Sequence, residues 1–555
     1  MRQWFKSGTP WIWLNGGAVA MCMIMVIGLI GLIAVRGFSH FWPSDVAVID
    51  ISRAEGEQSS IMGELVRSES VSAAVARDSG ESVPDDIELL TRHLFKLGNR
   101  DQTGRDFVWF LELGMSPWQY PDDAFVIERR EWGNFYGQPQ ALLRDGEIIA
   151  MPDDADFWSE LQASVDRSLE LFREIRRLER GEIGRINTGI ERLRLDERNL
   201  ELNPPPADVE AQERARIEAA AAQFDADYAV LRTELDAIYQ STRRDTLRMQ
   251  TADGTEVDIT LATIVRVTAP NAMSVFAKMI QYVERLWEFM SDEPREANTE
   301  GGIFPAIFGT VIMVMVMSII VTPFGILAAI YLREYARQGT MTRIIRISVY
   351  NLAGVPSIVY GVFGLGFFVY FLGGNIDELF YQASLPAPTF GTPGLFWASL
   401  TLALLTLPIV IVSTEEGLAR IPSTIRQGSL ALGATKSETL WKVIVPLATP
   451  AMMTGLILAI ARAAGEVAPL MLVGVVKLAP TLPVDGTFPY IHLERKIMHL
   501  GFHIYDVGFQ SPNVEAARPL VYATALVLVM LIVILNLTAI SIRNHLRERY
   551  RSAGD

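Results

Sequence analysis

The sequence predicts a mainly α, polytopic membrane protein: a bundle of six spans plus an extracytoplasmic α+β insert with a long helical hairpin. Three observations carry this. Long uncharged apolar windows are confined to the N-terminus and to the chain after residue 300, so the averages of 50% hydrophobic and 20% charged residues conceal a segregation. Residues 45–300 between those windows read as acidic soluble protein, and their excess of carboxylates sets the net charge of −15. Basic residues cluster in alternate segments between the windows, as the positive-inside rule requires. The acidic balance argues against nucleic acid as a partner. Cys22 is the single cysteine, so an intrachain disulfide and a cysteine-based metal site are both excluded.

Trp11 to Val35 is the first span, uncharged and long enough for a hydrocarbon core of about 30 Å. It outruns the apolar region of a cleavable signal peptide, about 7–15 residues, so it is read as retained. Arg2 and Lys6 before it place the N-terminus in the cytoplasm, with residues 1–40 forming the tail and first span.

The insert, residues 41–300, opens with a small β-containing unit over about 45–155. Phe125-Val126-Ile127 and Glu147-Ile148-Ile149-Ala150, around Asp145-Gly146, are its strand and turn signals. From Asp156 the apolar residues Leu161, Val165, Leu169, Phe172, Ile175 and Leu178 recur every three or four positions. Pro204-Pro205-Pro206 stops this helix and a second follows from Val209 to Tyr239, giving a hairpin over about 156–241. At 1.5 Å per residue each arm spans roughly 45–65 Å. Such a coiled-coil hairpin serves either as a spacer or as an arm that docks a partner. Over about 250–292 strand alternation returns, followed by a helix with Phe276, Met279, Ile280, Val283, Leu286, Trp287 and Met290 on one face. That face suits a membrane interface or the inside of the insert.

The remaining spans are Ile303–Leu332, Ile347–Ile376, Gly394–Ser413, Ala451–Val476 and Pro519–Ile542, within a domain of 301–545. Arg333, Arg337, Arg343 and Arg346 mark a cytoplasmic loop, and 414–450 is a second. Arg543, Arg547, Arg549 and Arg551 flank the end, with 546–555 as a cytoplasmic tail. Both termini then lie inside, while the insert and the acidic 377–393 loop lie outside.

Chemistry concentrates in two places. Gly428-x4-Gly433 approaches a phosphate-binding loop, but that motif needs Lys directly after its second Gly, and here Lys436 comes three residues late. The chain therefore carries no ATPase site or cofactor of its own. The fifth span contains Arg462 and Glu466, four residues apart and expensive at membrane depth. Arg462 either offers its guanidinium to a passing anion, with Glu466 competing for it, or forms a permanent salt bridge with Glu466. His492, His499 and His503 precede the last span. With no HExxH motif beside them, they read as amphipathic loop residues and not metal ligands.

Several stretches together resemble one family: GGIFPAIFGT (301–310), AAIYLREYA (328–336), NLAGVPSIVYGVFGLGFF (351–368), SLALGATKSETLWKVIVP (429–446) and TGLILAIARAAGEVAPLM (454–471). They are similar to the PstA-type permease of phosphate ABC importers, a type I ABC importer fold. Residues 426–446 resemble the coupling loop of that family, E-A-A-x3-G-x9-I-x-L-P, with Gln427, Gly428 and Ser429 in place of the triplet, then Gly433 and the closing Pro446. The resemblance implies import of inorganic phosphate by alternating access, with Arg462 and Glu466 in the pathway. It also implies a PstC-type second permease, a PstB-type cytoplasmic ATPase dimer that uses the ATP, a periplasmic phosphate-binding protein and the lipid bilayer as partners. Permeation of another oxyanion, sulfate or molybdate, is the alternative within transporters; a membrane sensor or scaffold with a periplasmic input domain is the alternative outside them. The lost carboxylate of the triplet and the large insert are the two departures from the family pattern.

Overall fold

A computed structural model describes residues 7–52, 58–78, 83–84, 87–511 and 514–551. Arg2, Lys6 and the last four residues of the tail lie outside the described residues. Contacts divide the chain into two compact units, Met1–His40 with Ile303–Asp555, and Phe41–Gly302.

Among its described residues the first unit contains six helices long and apolar enough to cross a membrane: Pro10–Ser39, Phe304–Tyr335, Ser357–Phe380, Leu395–Ala419, Lys436–Ala464 and Ala517–His545. The fourth is central, packed against the second and fifth; the fifth packs on the sixth, and the sixth on the first. Met313, Met317, Leu402, Ala459 and Ala463 are among the buried side chains that fill this bundle. Close approach depends on small residues. A Cβ on Gly325 of the second span would stand 2.6 Å from Cγ1 of Val410 in the fourth.

Two span boundaries differ from expectation. The third does not run from Ile347; Thr340–Leu352 is a separate helix, and the span starts at Ser357. Pro356 disfavours helical backbone at Val355, which splits one apolar run into two helices. The fifth span does not reach Val476. Its helix ends at Ala464, and Leu470–Val473 is a separate single turn after Pro469. Helix also extends into the 414–450 loop from both sides, to Ala419 and from Ser423 onward, so the loop is largely helical.

Among its described residues the second unit holds a two-stranded sheet, pairing Pro294–Arg295 with Glu300–Gly301, and two large antiparallel ones. β1 (Val46–Ser52), β2 (Gln58–Ser72), β3 (Leu89–Lys96) and β4 (Phe107–Leu111) form one in sequence order. The other runs β10-β5-β6-β8-β9, with β7 also on β6; its strands are β5 (Phe125–Arg129), β6 (Phe135–Arg144), β7 (Glu147–Ala150), β8 (Asp245–Gln250), β9 (Glu256–Thr260) and β10 (Ile264–Thr268). The strand alternation expected over about 250–292 and the strands of 125–150 belong to one sheet, with the helical hairpin inserted between β7 and β8. Tertiary pairing brings Arg144 of β6 opposite Asp245 of β8, 101 positions away, a separation that local patterning does not reveal. Asp145 and Gly146 make the tight turn between β6 and β7, both with positive φ.

The first hairpin arm, Phe157–Leu202, includes a π-helical turn at Arg177–Ile183, and the second is Ala207–Thr242. Phe157, Leu161 and Val165 anchor the first arm on the second sheet. Farther out the arms hold each other through Leu178, Ile186, Phe224 and Leu231, with exposed pairs such as Arg216–Asp196 along their flanks. Near the opposite edge of the unit the Asn271 side chain accepts from the Val46 N–H and donates to the Val46 carbonyl, each at 2.9 Å, across 225 residues.

Candidate functional site

Arg462 occupies the last turn of the fifth-span helix, and Glu466 lies just beyond its end. Gly465 closes the helix, its N–H donating to the Arg462 carbonyl at 3.2 Å, and the Glu466 N–H donates to the Ala463 carbonyl at 3.2 Å. This turn folds Glu466 back, so that Arg462 Nε donates to Glu466 Oε1 at 3.4 Å. The pair is thus at a helix terminus and not inside a continuous helix. A cation beside the last carbonyls of a helix is favoured by the helix dipole. Ala463, Ala464 and Leu470 are buried around it, while the Arg462 side chain is 33% and the Glu466 side chain 19% exposed. The two terminal guanidinium nitrogens of Arg462 find no acceptor among the described residues. An arginine held by one nitrogen with its fork open can receive an oxyanion in bidentate fashion. Behind the pair the chain is tightly packed: a Cβ on Gly361 would lie 2.6 Å from Cα of Pro469.

The second element is the segment linking spans four and five. Ser423–Ala431 is a helix after Pro422, with Gln427 and Gly428 exposed and Ser429 half-buried. A Cβ on Gly428 would meet nothing within 4 Å, so this glycine answers no packing need. Gly433 does meet a backbone need: its φ is +86°, where a side chain is strained, and its N–H donates to the Leu430 carbonyl at 3.0 Å, ending the helix. A capping box of Thr435 and Glu438 starts the next helix. Ser429 Oγ and Thr439 Oγ1, 2.8 Å apart, join the two. The π turn Leu440–Ile444 directly precedes Pro446 and widens the helix where a proline ring would crowd a regular turn.

Unforeseen anchors hold this segment to the bundle. Arg426 donates to Glu334 Oε1 at 2.9 Å and to the carbonyls of Leu418 and Ile421 at 2.7 and 2.8 Å. Lys436 donates to the Glu334 carbonyl at 2.6 Å and lies over the Tyr335 ring. Arg346 pairs with the buried Glu415 at 2.5 Å. Arg346, read only as an orientation marker, thus has a structural partner, and so does Arg426; the signal was carboxylates, Glu334 and Glu415, at the ends of apolar runs. Outward, the segment presents Leu430, Trp441 and Leu432, the last 91% exposed.

The three histidines are buried, not amphipathic loop residues. His492 lies between Asp485 and Glu494, at 3.0 and 3.2 Å, and His499 Nδ1 accepts the Gly501 N–H at 3.1 Å. They do not converge, and no group of three His, Cys, Asp or Glu suited to a metal occurs among the described residues.

Among the described residues, six helices long and apolar enough to cross a membrane and an exposed helical connector define a multi-pass membrane protein. Residues 321–552 match the family described as binding-protein-dependent transport system inner membrane component. The phosphate transport system permease protein PstA 1 of Mycobacterium tuberculosis (strain CDC 1551 / Oshkosh) is 34% identical over 245 residues, 44% of this chain and 71% of that protein. The phosphate transport system permease protein PstA of Yersinia pestis is 31% identical over 255 residues, 46% of this chain and 76% of that protein. A chain of the inward-facing MetNI methionine ABC transporter is similar at 17% identity and a TM-score of 0.32, over 43% of this chain and 94% of that one. The chain belongs to the family of binding-protein-dependent transport system inner membrane components and is a multi-pass inner membrane permease.

Proposed function

We propose that this chain is the PstA-type permease subunit of an ATP-driven importer of inorganic phosphate and forms half of the translocation pathway. The observation that carries the reading is its similarity, over the span-bearing region, to relatives named as phosphate transport permeases. The half-exposed Arg462–Glu466 pair supplies chemistry suited to that substrate. The partners are a PstC-type second permease, a PstB-type ATPase dimer in the cytoplasm and a periplasmic phosphate-binding protein. ATP is used by the ATPase, and this chain contributes no cofactor. The termini lie in the cytoplasm and the insert in the periplasm.

In this reading the ATPase dimer grips the Ser423–Ala431 helix. Leu430 and Leu432 supply apolar contact, and Arg426 and Lys436 pass the movement to the end of the second span. The spans rock, and Arg462 faces one side and then the other. Phosphate displaces Glu466 from the guanidinium on arrival, and Glu466 takes the arginine back on release. A doubly bonded guanidinium fits a tetrahedral oxyanion better than the point charge of a lysine does. The test is ATP-dependent uptake of radiolabelled phosphate into vesicles holding the whole complex, with sulfate and molybdate as competitors. Uptake that sulfate or molybdate suppresses as well as phosphate does would refute the substrate assignment.

A further inference from the structure

The Val275–Ser291 helix has its polarity inverted relative to a helix on a water-soluble domain. Its charged side faces inward. Arg285 donates to Glu128 at 2.6 Å, Glu288 accepts from Arg266 and Arg295, each at 2.8 Å, and Lys278 pairs with Asp45. The surrounding arginines hold the buried Glu128 carboxyl down at about 2 despite the opposing effect of burial. The apolar side faces out: Val275, Phe276, Met279, Ile280, Val283 and Trp287 are each between 47 and 73% exposed. Soluble proteins turn such faces inward, and a contiguous apolar stripe left outside marks an interaction site.

The chain itself says what that face meets. Its neighbours within the same unit are the two points where the insert joins membrane spans. Phe41, two residues beyond the last helical residue of the first span, packs tilted against Phe289 with ring centroids 5.1 Å apart and edge-on to Tyr282 at 6.3 Å, and Trp42 contacts Tyr282 at 6.1 Å. At the other end the Gly302 N–H donates to the Glu293 carbonyl at 3.0 Å, two residues before the second span begins. Two residues of chain extend at most about 7 Å. The C-terminal half of the helix is therefore tied, through Tyr282, Phe289 and Glu293, to residues two positions in sequence from bilayer-crossing helices, and a soluble partner would have to compete with lipid for that strip.

We propose that the outward face of the Val275–Ser291 helix lies in the headgroup–acyl boundary of the bilayer. The apolar stripe, with Trp287 in it, is what such a site takes. Glu284 and Ser291, at the rim of the stripe, stay with water and headgroups.

The test uses the full chain with its partner subunits in lipid nanodiscs, on a Cys22→Ser background. Nitroxide labels are placed singly through Phe276→Cys, Val283→Cys and Trp287→Cys, with Val230→Cys on the exposed hairpin as the aqueous reference. We expect the three labels to collide readily with oxygen and poorly with a water-soluble nickel chelate, at depths of about 5–10 Å. Chelate accessibility equal to that at position 230 would overturn the proposal, as would protection from both agents, which means a protein cover. As a label-free measurement, Trp287→Phe should remove part of the fluorescence that brominated lipids quench; an unchanged quenched fraction contradicts the proposal.

Discussion

Arg426 and Glu334, separated by 92 residues of sequence, meet at 2.9 Å and tie the connector between spans four and five to the end of span two. The same guanidinium satisfies two carbonyls near the end of span four, so one side chain joins three elements. Arg426→Ala should lower stability by about 1–3 kcal/mol, because it leaves these largely buried acceptors unmade. It should also uncouple ATP hydrolysis from uptake. Glu334→Gln keeps the backbone carbonyl that receives Lys436 and should have the smaller effect in a thermal melt of the purified complex. Equal losses from the two changes would remove Arg426 from its joining role.

Gly433 and Gly428 look alike in sequence and should respond oppositely. Gly433→Ala forces a side chain into left-handed backbone and should destabilise by about 1–2 kcal/mol. Gly428→Ala lies in a helix with open space around it and should stabilise by about 0.5–1 kcal/mol. Melting temperatures of the two variants, read side by side, decide this.

On the proposed role of Arg462, Arg462→Ala should abolish phosphate uptake while leaving expression and assembly intact. Arg462→Lys should retain a reduced rate, since it keeps charge without the fork. Glu466→Gln removes the internal competitor and should lower the KM for phosphate while slowing turnover. Unchanged kinetics in Arg462→Ala would take the residue out of the pathway.

His503 gives a pH dependence. Burial lowers its pKa from 6.5 to about 4, with Asp506 opposing and Lys477 reinforcing the shift. The unfolded chain therefore binds the proton more readily, and stability falls as pH drops below 6.5 toward 4. Because neither ring nitrogen has a hydrogen-bond partner among the described residues, His503→Phe should cost little at pH 7 and flatten this decline. Melting curves between pH 7.5 and 5 test it; parallel declines in both proteins would contradict the assignment.

The spans were legible because charge exclusion over twenty or more residues has few other causes. Their ends were not. Gly354 and Pro356 sit inside an apolar run, and hydropathy averages over the break that Pro356 makes in the backbone. The hairpin could be read from its period and its three prolines, whereas β8 to β10 could not be assigned to the sheet of β5 and β6. That pairing is set by burial of Leu247 and Met249 against residues a hundred positions away. At the site, Arg462 announced itself as a charge in an apolar run. The helix end at Gly465 that lets Glu466 fold back did not, because glycines such as Gly325 and Gly361 in these spans lie within helix.

The Val46–Asn271 contact has a consequence for how the chain is made. At about 5–20 residues per second, a ribosome needs roughly 11–45 s to traverse the 225 residues between these partners. During that interval β1 can pair with β2, yet the second sheet lacks three strands, and the Val275–Ser291 helix that Phe41 will cover does not yet exist. The first span must therefore hold an unfinished domain at the membrane until synthesis reaches the threshold of the second. Shortening the hairpin arms would shorten that wait without touching a single strand, which makes arm length a control on biogenesis as well as on reach.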